Sequence, residues 1–514
     1  MLSASVIGNI GENCMKLIGR LPEQEVLEEA LDSKEAELIA VYGRRRVGKT
    51  FLIRSFFDKK NVIFFQSSGI HNGKVSIQLK EFKNTIEETF YTNKKGPGLA
   101  VPKNWMDAFG MLADAVDTAH KTSSEKIIVF MDEFPWMATH KSGLLEAFDY
   151  YWNRYLVNFE RLKIIICGSA ASWIIEKVLN NKGGLHNRVT RRINLHPFSL
   201  FETKLFLKEK GINWDNAQIL YIYMAIGGIP YYLKFIDKSL SAPQNIDRLC
   251  FQRGGVLKDE FKNLFSSLFD NAETHEKIMT ILSTSRQGVA RSVIEKKLDM
   301  EGGRLTTKIS ELAESGFISE SLPVGKERGL YYRIIDEYSI FYLKWIRPLL
   351  KSMKGQMIDN IVPGHWETIS ISSSGRVWAG YAFESVCFKH LKQISKALKI
   401  PQGSIAISFS NKPTKLKSAG ELKTAPSGTQ IDLIFDRLDG ITNICEIKYC
   451  TKAYVIDKSY AKNLANKIAV YKKETKSVKE CRLSMITSYK TKDNIYSKEI
   501  VSSEVVLDDF FIDV

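Results

Sequence analysis

The chain alternates short apolar runs with longer segments that repeat apolar residues every three or four positions, the pattern of strands separated by helices. Residues 38–42 (LIAVY), 126–134 (KIIVFMDEF) and 163–170 (KIIICGSA) are nearly continuous apolar runs, as strands buried on both faces require. The first passes through a glycine-bounded loop into the amphipathic stretch FLIRSFF, so strand, loop and helix follow in direct succession.

Between residues 271 and 335 the pattern changes. Three short helical periods (EKIMTILSTS, RSVIEKKL, LTTKISELAESG) precede FISESLPVGKERGLYYRII, which reads as a two-stranded wing, and this order predicts a winged helix. Asp336 to Leu343, with Trp345 beyond, places aromatics at helical spacing, an arrangement for core packing. After a serine-rich segment at 369–374 and Gly375, a helix opens around Trp378 and Phe383-Glu384 and runs to about Leu398. Gln430 to Phe435, the turn Asp439-Gly440 and Asn443 to Tyr449 then read as a hairpin.

At 514 residues the chain is too long for one core. The pattern divides it into an α/β module at 1–200, a winged helix at 269–350, a linker at 351–374 and a second α/β domain at 375–514, with a segment at 201–268 that the family resemblance given below makes a helical lid. The apolar fraction of 44% rules out disorder as the default. No run of eighteen apolar residues and no signal-like start occurs, so a cytoplasmic protein that does not enter membranes is expected. Seven scattered cysteines read as free thiols; Cys445 and Cys450 lack a second Cys or His pair to complete a zinc site. The net charge of +15 attracts polyanions. Residues 371–514 contribute 23 Lys and Arg against 15 Asp and Glu, which makes nucleic acid a candidate partner.

The loop Gly43-Arg44-Arg45-Arg46-Val47-Gly48-Lys49-Thr50 has the spacing of a phosphate-binding P-loop. Gly43 and Gly48 let successive backbone N–H groups turn inward at the helix N-terminus, where Phe51 follows. Lys49 is expected to reach the β and γ phosphates of ATP, and Thr50 to ligate Mg²⁺. The second strand delivers Asp132 to the metal and Glu133 as general base. Ser169, ending the third strand, is either a γ-phosphate sensor or part of an ordinary turn.

These residues, with Ile18-Gly19-Arg20-x-x-Glu23 ahead of the first strand, Arg188 and Gly227-Gly228-Ile229-Pro230, resemble the archaeal-type ATPases of the STAND branch of AAA+ proteins over about residues 15–350. The resemblance implies that Gly19 and Arg20 flank the adenine, that the GG-x-P segment packs a helical lid over the nucleotide, and that Pro230 lies near the base. Arg188 matches the family's Gly-Arg motif with Asn187 in place of glycine; it either neutralises γ-phosphate charge, in cis or from a neighbouring copy, or makes a surface salt bridge, with Arg191 and Arg192 competing. In the resembling ATPases the winged helix closes onto the nucleotide module. An intramolecular role fits here better than DNA reading, because Glu311 and Glu314 accompany Lys308 on the third helix.

In the last domain, Glu446 and Lys448 are two apart on one strand and Asp432 lies 14 residues before Glu446 on its neighbour, so one face gathers all three. Two carboxylates bind Mg²⁺ or Mn²⁺, and a lysine beside them orients water for attack on a phosphodiester. The pattern, following a helix that carries Glu384, resembles the PD-(D/E)xK restriction-endonuclease-like fold, with Ile431 in place of the usual Pro. Glu384 either adds a metal ligand or caps its helix. The sequence thus predicts an ATP-controlled, metal-dependent nuclease acting on DNA, and the resemblance suggests defence against foreign DNA. Two alternatives stand beside it: a non-nucleolytic signalling ATPase whose nucleotide state sets assembly, as a homo-oligomer or with a regulatory protein, and whose residues 375–514 bind a partner protein, and a DNA-binding regulator working through its winged helix.

Overall fold

A computed structural model describes residues 16–91, 98–139, 141–180, 187–269, 271–285, 288–321, 329–353, 364–410 and 429–514. Its contacts separate two units: one runs up to Gly43 and takes in Gly48–Leu195, and the other comprises Arg44–Val47 and His196–Val514.

The first unit is built on a parallel sheet of β1 (Glu37–Tyr42), β2 (Val62–Ser68), β3 (Lys126–Asp132), β4 (Leu162–Gly168) and β5 (Arg191–Asn194), in the order β2-β3-β4-β1-β5. The runs of Ile, Val and Phe in β1, β3 and β4 are buried on both faces, as expected where helices cover a parallel sheet. The longest covering helix, Trp105–Thr122, starts where Asn104 accepts the N–H of Asp107. It buries Phe109, Leu112, Val116 and Ala119 at helical spacing. The edge strand β5 alternates instead, burying Ile193 between polar neighbours.

The second unit begins with the helices Leu200–Glu209, Asn216–Ile226, Pro230–Leu233, Ala242–Cys250 and Glu260–Leu268. Three more, Ala272–Leu282, Arg291–Leu298 and Gly302–Glu314, accompany a small antiparallel sheet of β6 (Val289–Ala290), β7 (Ile318–Ser321) and β8 (Tyr331–Ile334), ordered β6-β8-β7. The tip of the expected wing, 322–328, lies outside the described residues.

The expected linker at 351–374 is not a plain spacer. Its residues 354–363 lie outside the described ones, but helix His365–Ile371 follows, and Trp366 is fully buried with its ring stacked on Phe251. Asp247 accepts the backbone N–H groups of both Gly364 and Trp366. The serines that read as linker composition are capping chemistry: Ser372 accepts the N–H of Gly375 and starts helix Ser373–Lys389.

The remaining sheet holds β9 (Ile405–Ser410), β10 (Gln430–Asp436), β11 (Ile441–Lys448), β12 (Glu480–Thr487) and β13 (Val501–Val505) in the order β13-β12-β11-β10-β9. The sheet is mixed: β10 pairs antiparallel with both β9 and β11, whereas β11, β12 and β13 are parallel. Helix Lys458–Thr475 connects β11 to β12, and Ile431, Ile434, Ile444, Leu464 and Met485 form the core beneath it. Among the described residues no helix is long and apolar enough to cross a membrane, and the six described cysteines are free thiols.

Candidate nucleotide site and a second carboxylate site

In the first unit the strand ends bring the predicted residues together. Gly43 and Gly48 both have positive φ, at +139° and +95°, and a Cβ on Gly43 would lie 2.3 Å from the carbonyl oxygen of Leu195, so only glycine fits the entry to the loop. Lys49 opens helix Lys49–Phe57 and is buried; its Nζ donates to the Gly43 carbonyl at 3.0 Å and to Ser169 Oγ at 3.4 Å. The Thr50 hydroxyl donates to Asp132 Oδ2 at 2.8 Å. Burial pushes the Asp132 carboxyl above its ordinary range, with the Thr50 hydrogen bond opposing.

Glu133 sits at φ 46°, a left-handed conformation rare for a non-glycine residue. Ser169 holds it from two sides: Oγ donates to Oε1 at 2.6 Å and the backbone N–H to Oε2 at 3.1 Å. Ser169 is therefore more than a strand-ending turn, since it joins the P-loop lysine to the glutamate. The ammonium, hydroxyl and carboxylate that converge here, with a loop open only to glycine, form a donor set suited to a nucleotide phosphate and Mg²⁺.

Gly19 and Arg20 also adopt left-handed backbone, at φ 62° and 59°, immediately before helix Leu21–Asp32, and Arg20 is buried beside Glu23. Of the three competing arginines, Arg191 is held by Glu29 at 2.6 Å and Glu37 at 3.7 Å, a structural tie. Arg192 is on β5, and Arg188 is exposed in the turn ahead of it. Asn187 takes φ 60°, a left-handed conformation that asparagine adopts more readily than most residues. Phe51 is half-exposed on the first helix.

Arg44 to Val47 belong to the second unit, where sequence reasoning missed their partners. Arg44 ion-pairs with the buried Asp336, and its guanidinium lies 5.0 Å from the centre of the Phe317 ring. Arg46 pairs with the buried Glu260 at 2.9 Å and packs over Tyr231 at 4.1 Å, and Arg45 adds to the positive field at Glu260. Val47 is buried. Local motif reading assigns these arginines to phosphate alone, and only an acid at the start of the aromatic helical stretch hinted otherwise. Pro230 opens a short helix after Gly227 and Gly228, and Gly228 leaves no room for a Cβ against the Phe198 carbonyl.

The second site lies on the C-terminal hairpin. Leu433 faces Cys445 across β10 and β11, and Asp432, the next residue along, has Glu446 as a charged neighbour. Glu446 Oε1 accepts from Lys448 at 2.7 Å and from the Tyr460 hydroxyl at 2.6 Å, while Oε2 accepts from Lys467 at 2.6 Å. Tyr460 and Lys467 come from helix Lys458–Thr475 and were not foreseen; a lysine on a basic helix carries no distinguishing sequence signal. Asp432 Oδ2 accepts the Ile447 N–H at 3.1 Å.

Burial and the neighbouring Glu446 raise the carboxyl of Asp432, whereas for Glu446 burial is outweighed by Lys448 and Lys467, which hold it below the ordinary range. The expectation for Glu384 needs correction. Glu384 does not cap its helix: it lies within Ser373–Lys389, which Ser372 caps, with Arg333 as a charged neighbour.

Residues 18–236 match a family model described as an ATPase domain predominantly from Archaea. An uncharacterized protein of Methanocaldococcus jannaschii is 27% identical over 390 residues, 75% of this chain and 79% of its own length. A short uncharacterized ATP-binding protein of the same organism is 47% identical over 45 residues, 9% of this chain and 76% of its own. Among solved structures, the chain is similar to a Walker-type ATPase of Pyrococcus abyssi, at 20% identity and a TM-score of 0.46, covering 64% of this chain and 96% of that one. The glycine-bounded loop, its lysine and threonine, and the paired acids at the end of β3 all fall inside the matched segment: over residues 18–236 the chain carries an ATPase domain of the family found predominantly in Archaea.

Proposed function

We propose that the chain hydrolyses ATP and that its nucleotide state governs a metal-dependent site in the C-terminal sheet that cleaves nucleic-acid phosphodiesters. In the ATPase, Lys49 and the loop N–H groups bind the β and γ phosphates, while Thr50 and Asp132 would hold Mg²⁺, which would supply charge neutralisation at the transferring phosphoryl group. Glu133, oriented by Ser169, accepts a proton from the attacking water. Arg44 and Arg46 hold the P-loop tip to Asp336 and Glu260, which supports a route from nucleotide state to the rest of the second unit.

The observation that carries the nuclease reading is that Asp432 and Glu446 are charged neighbours, with Lys448 on the Glu446 carboxylate. Asp432 and Glu446 would hold Mg²⁺ or Mn²⁺, which supplies charge stabilisation at the phosphorus, and Lys448 orients the water. A second reading, a signalling ATPase without nuclease activity, is favoured by the full pairing of Glu446 with two lysines and a tyrosine, an arrangement that also serves as a buried ion cluster. The test is cleavage of plasmid and linear DNA by wild type and Glu446→Ala with Mg²⁺ or Mn²⁺, with and without ATP. ATP-dependent cleavage lost in the variant supports the nuclease; intact DNA under every condition supports the signalling ATPase.

A further inference from the structure

The second unit contains a cavity of about 1010 Å³ that the ATPase and the hairpin carboxylates leave unused. Its walls come from the end of helix Ala272–Leu282, from β8, from the helical segment Glu337–Ile346, from helix Ser373–Lys389 and from the first residue of β10. Two cations, Arg333 and Lys344, line it against a single carboxylate, Glu384. The Arg333 guanidinium is fixed in place, packed 4.1 Å from the centre of the Phe388 ring with its Nε donating to Ser319 Oγ.

Hydroxyls gather at the same wall from Ser283, Ser285, Ser373, Ser374 and Ser385, and aromatic surface comes from Trp378, Tyr381 and Phe388. Guanidinium and hydroxyl groups suit phosphate, and aromatic faces suit bases irrespective of sequence. The volume is at the upper end of the roughly 300–1,000 Å³ that single ligands occupy, enough for a few unstacked nucleotides and not for a duplex.

The position of the cavity connects it to chemistry. Gln430, at its end, is the first residue of β10 and lies two residues before Asp432 on that strand. Glu384 lies one turn before Cys387, whose buried thiol is pushed up by burial and then by the charges of Glu384 and Asp432 together. The wall and the hairpin site are thus neighbours along one strand and one helix.

We infer that this cavity binds a single-stranded nucleic acid and leads it to Asp432, Glu446 and Lys448, so that the substrate of the C-terminal site is single-stranded. The inference rests on the nuclease reading for its chemistry, but the binding can be measured without cleavage. One wall, Arg333 and Lys344, belongs to elements that precede the C-terminal domain, so the substrate path is complete only while those elements are docked on helix Ser373–Lys389.

The experiment is fluorescence anisotropy of labelled oligo(dT), oligo(rU) and a duplex with the full chain in Ca²⁺, for wild type, Val377→Glu, Tyr381→Ala and Arg333→Gln. Val377 and Tyr381 are exposed at the cavity wall, so their variants preserve the core, and melting curves check this for each protein. Single-strand affinity falling about tenfold or more in Val377→Glu and Tyr381→Ala, the scale of a lost base-stacking contact, is the expected result. The two oligonucleotides show whether the strand is DNA or RNA. Unchanged single-strand affinity in all three variants, or duplex bound by wild type as tightly as single strands, overturns the inference. Glu446→Ala, assayed alongside, separates the two ideas: cavity-dependent binding without Glu446-dependent cleavage keeps the binding site and removes the nuclease, and Glu446-dependent cleavage with binding indifferent to the cavity does the reverse.

Discussion

Arg44 donates to Asp336, a carboxylate 292 residues further along the chain, and the two are 4% and 1% exposed. Two ions this deeply buried are stable only as a pair, because either one alone faces an uncompensated desolvation cost. Asp336 also accepts the Ser339 N–H and so starts its own helix. Asp336→Ala is expected to destabilise the protein by about 3–5 kcal/mol, and the Arg44→Ala, Asp336→Ala double variant by less than the sum of the two. Urea unfolding of the four proteins in a double-mutant cycle measures the coupling; strict additivity would show that the pair does not act as one.

Ser169 makes a different kind of claim on the ATPase. Because it holds both oxygens of Glu133, Ser169→Ala should lower kcat while leaving nucleotide affinity near wild type. Glu133→Gln should lower kcat further, by about 10²–10⁴. Lys49→Ala, by contrast, should weaken ATP binding itself. Steady-state hydrolysis and equilibrium nucleotide binding on the same samples distinguish the three; tight ATP binding by Lys49→Ala would refute the assigned site.

His390 gives a pH signature. Its Nε2 accepts the Leu200 N–H at 3.0 Å and its Nδ1 donates to the Val386 carbonyl at 2.8 Å, so the folded ring is neutral, and burial holds its pKa down to about 4. The unfolded ring titrates near 6.5, so between about 6.5 and about 4 the unfolded state binds more protons. Stability therefore falls as pH drops through that window, by at most roughly 3 kcal/mol from this group. Denaturant midpoints at pH 7.5 and 5 should converge in His390→Gln relative to wild type. An equal pH slope in both would remove His390 from the account.

Trp366 tests whether residues 364–371 are architecture. Stacked on Phe251 and edge-on to Phe341 and Trp378, it fills the space between helices that lie far apart in sequence. Trp366→Ala should cost about 3–5 kcal/mol, read by thermal unfolding. A loss below 1 kcal/mol would restore the spacer reading.

Legibility followed the range of the interaction. The P-loop, Asp132-Glu133 and the hairpin were readable because adjacent residues and a fixed spacing determine them: β1 ends and the loop begins, or a turn sets Asp432 against Glu446. Contacts between distant segments were not readable. Nothing near Arg44 names Asp336, and nothing in helix Lys458–Thr475 sets Lys467 apart from the other lysines it carries. The linker misreading has the same source: serines cap helices and fill spacers alike, and only the packing of Trp366 decides between the two.

The Asp439-Gly440 turn has a consequence for how this protein can change. Strand residues alternate faces, so one amino acid inserted in the turn would slide the pairing and send either Asp432 or Glu446 to the opposite side of the sheet. The turn is exposed and touches neither carboxylate, and a loop of that kind ordinarily tolerates insertion freely. Here the length of the turn decides which face each acid lies on, so a single in-frame codon would part Asp432 from Glu446 while every one of their chemical groups stayed intact.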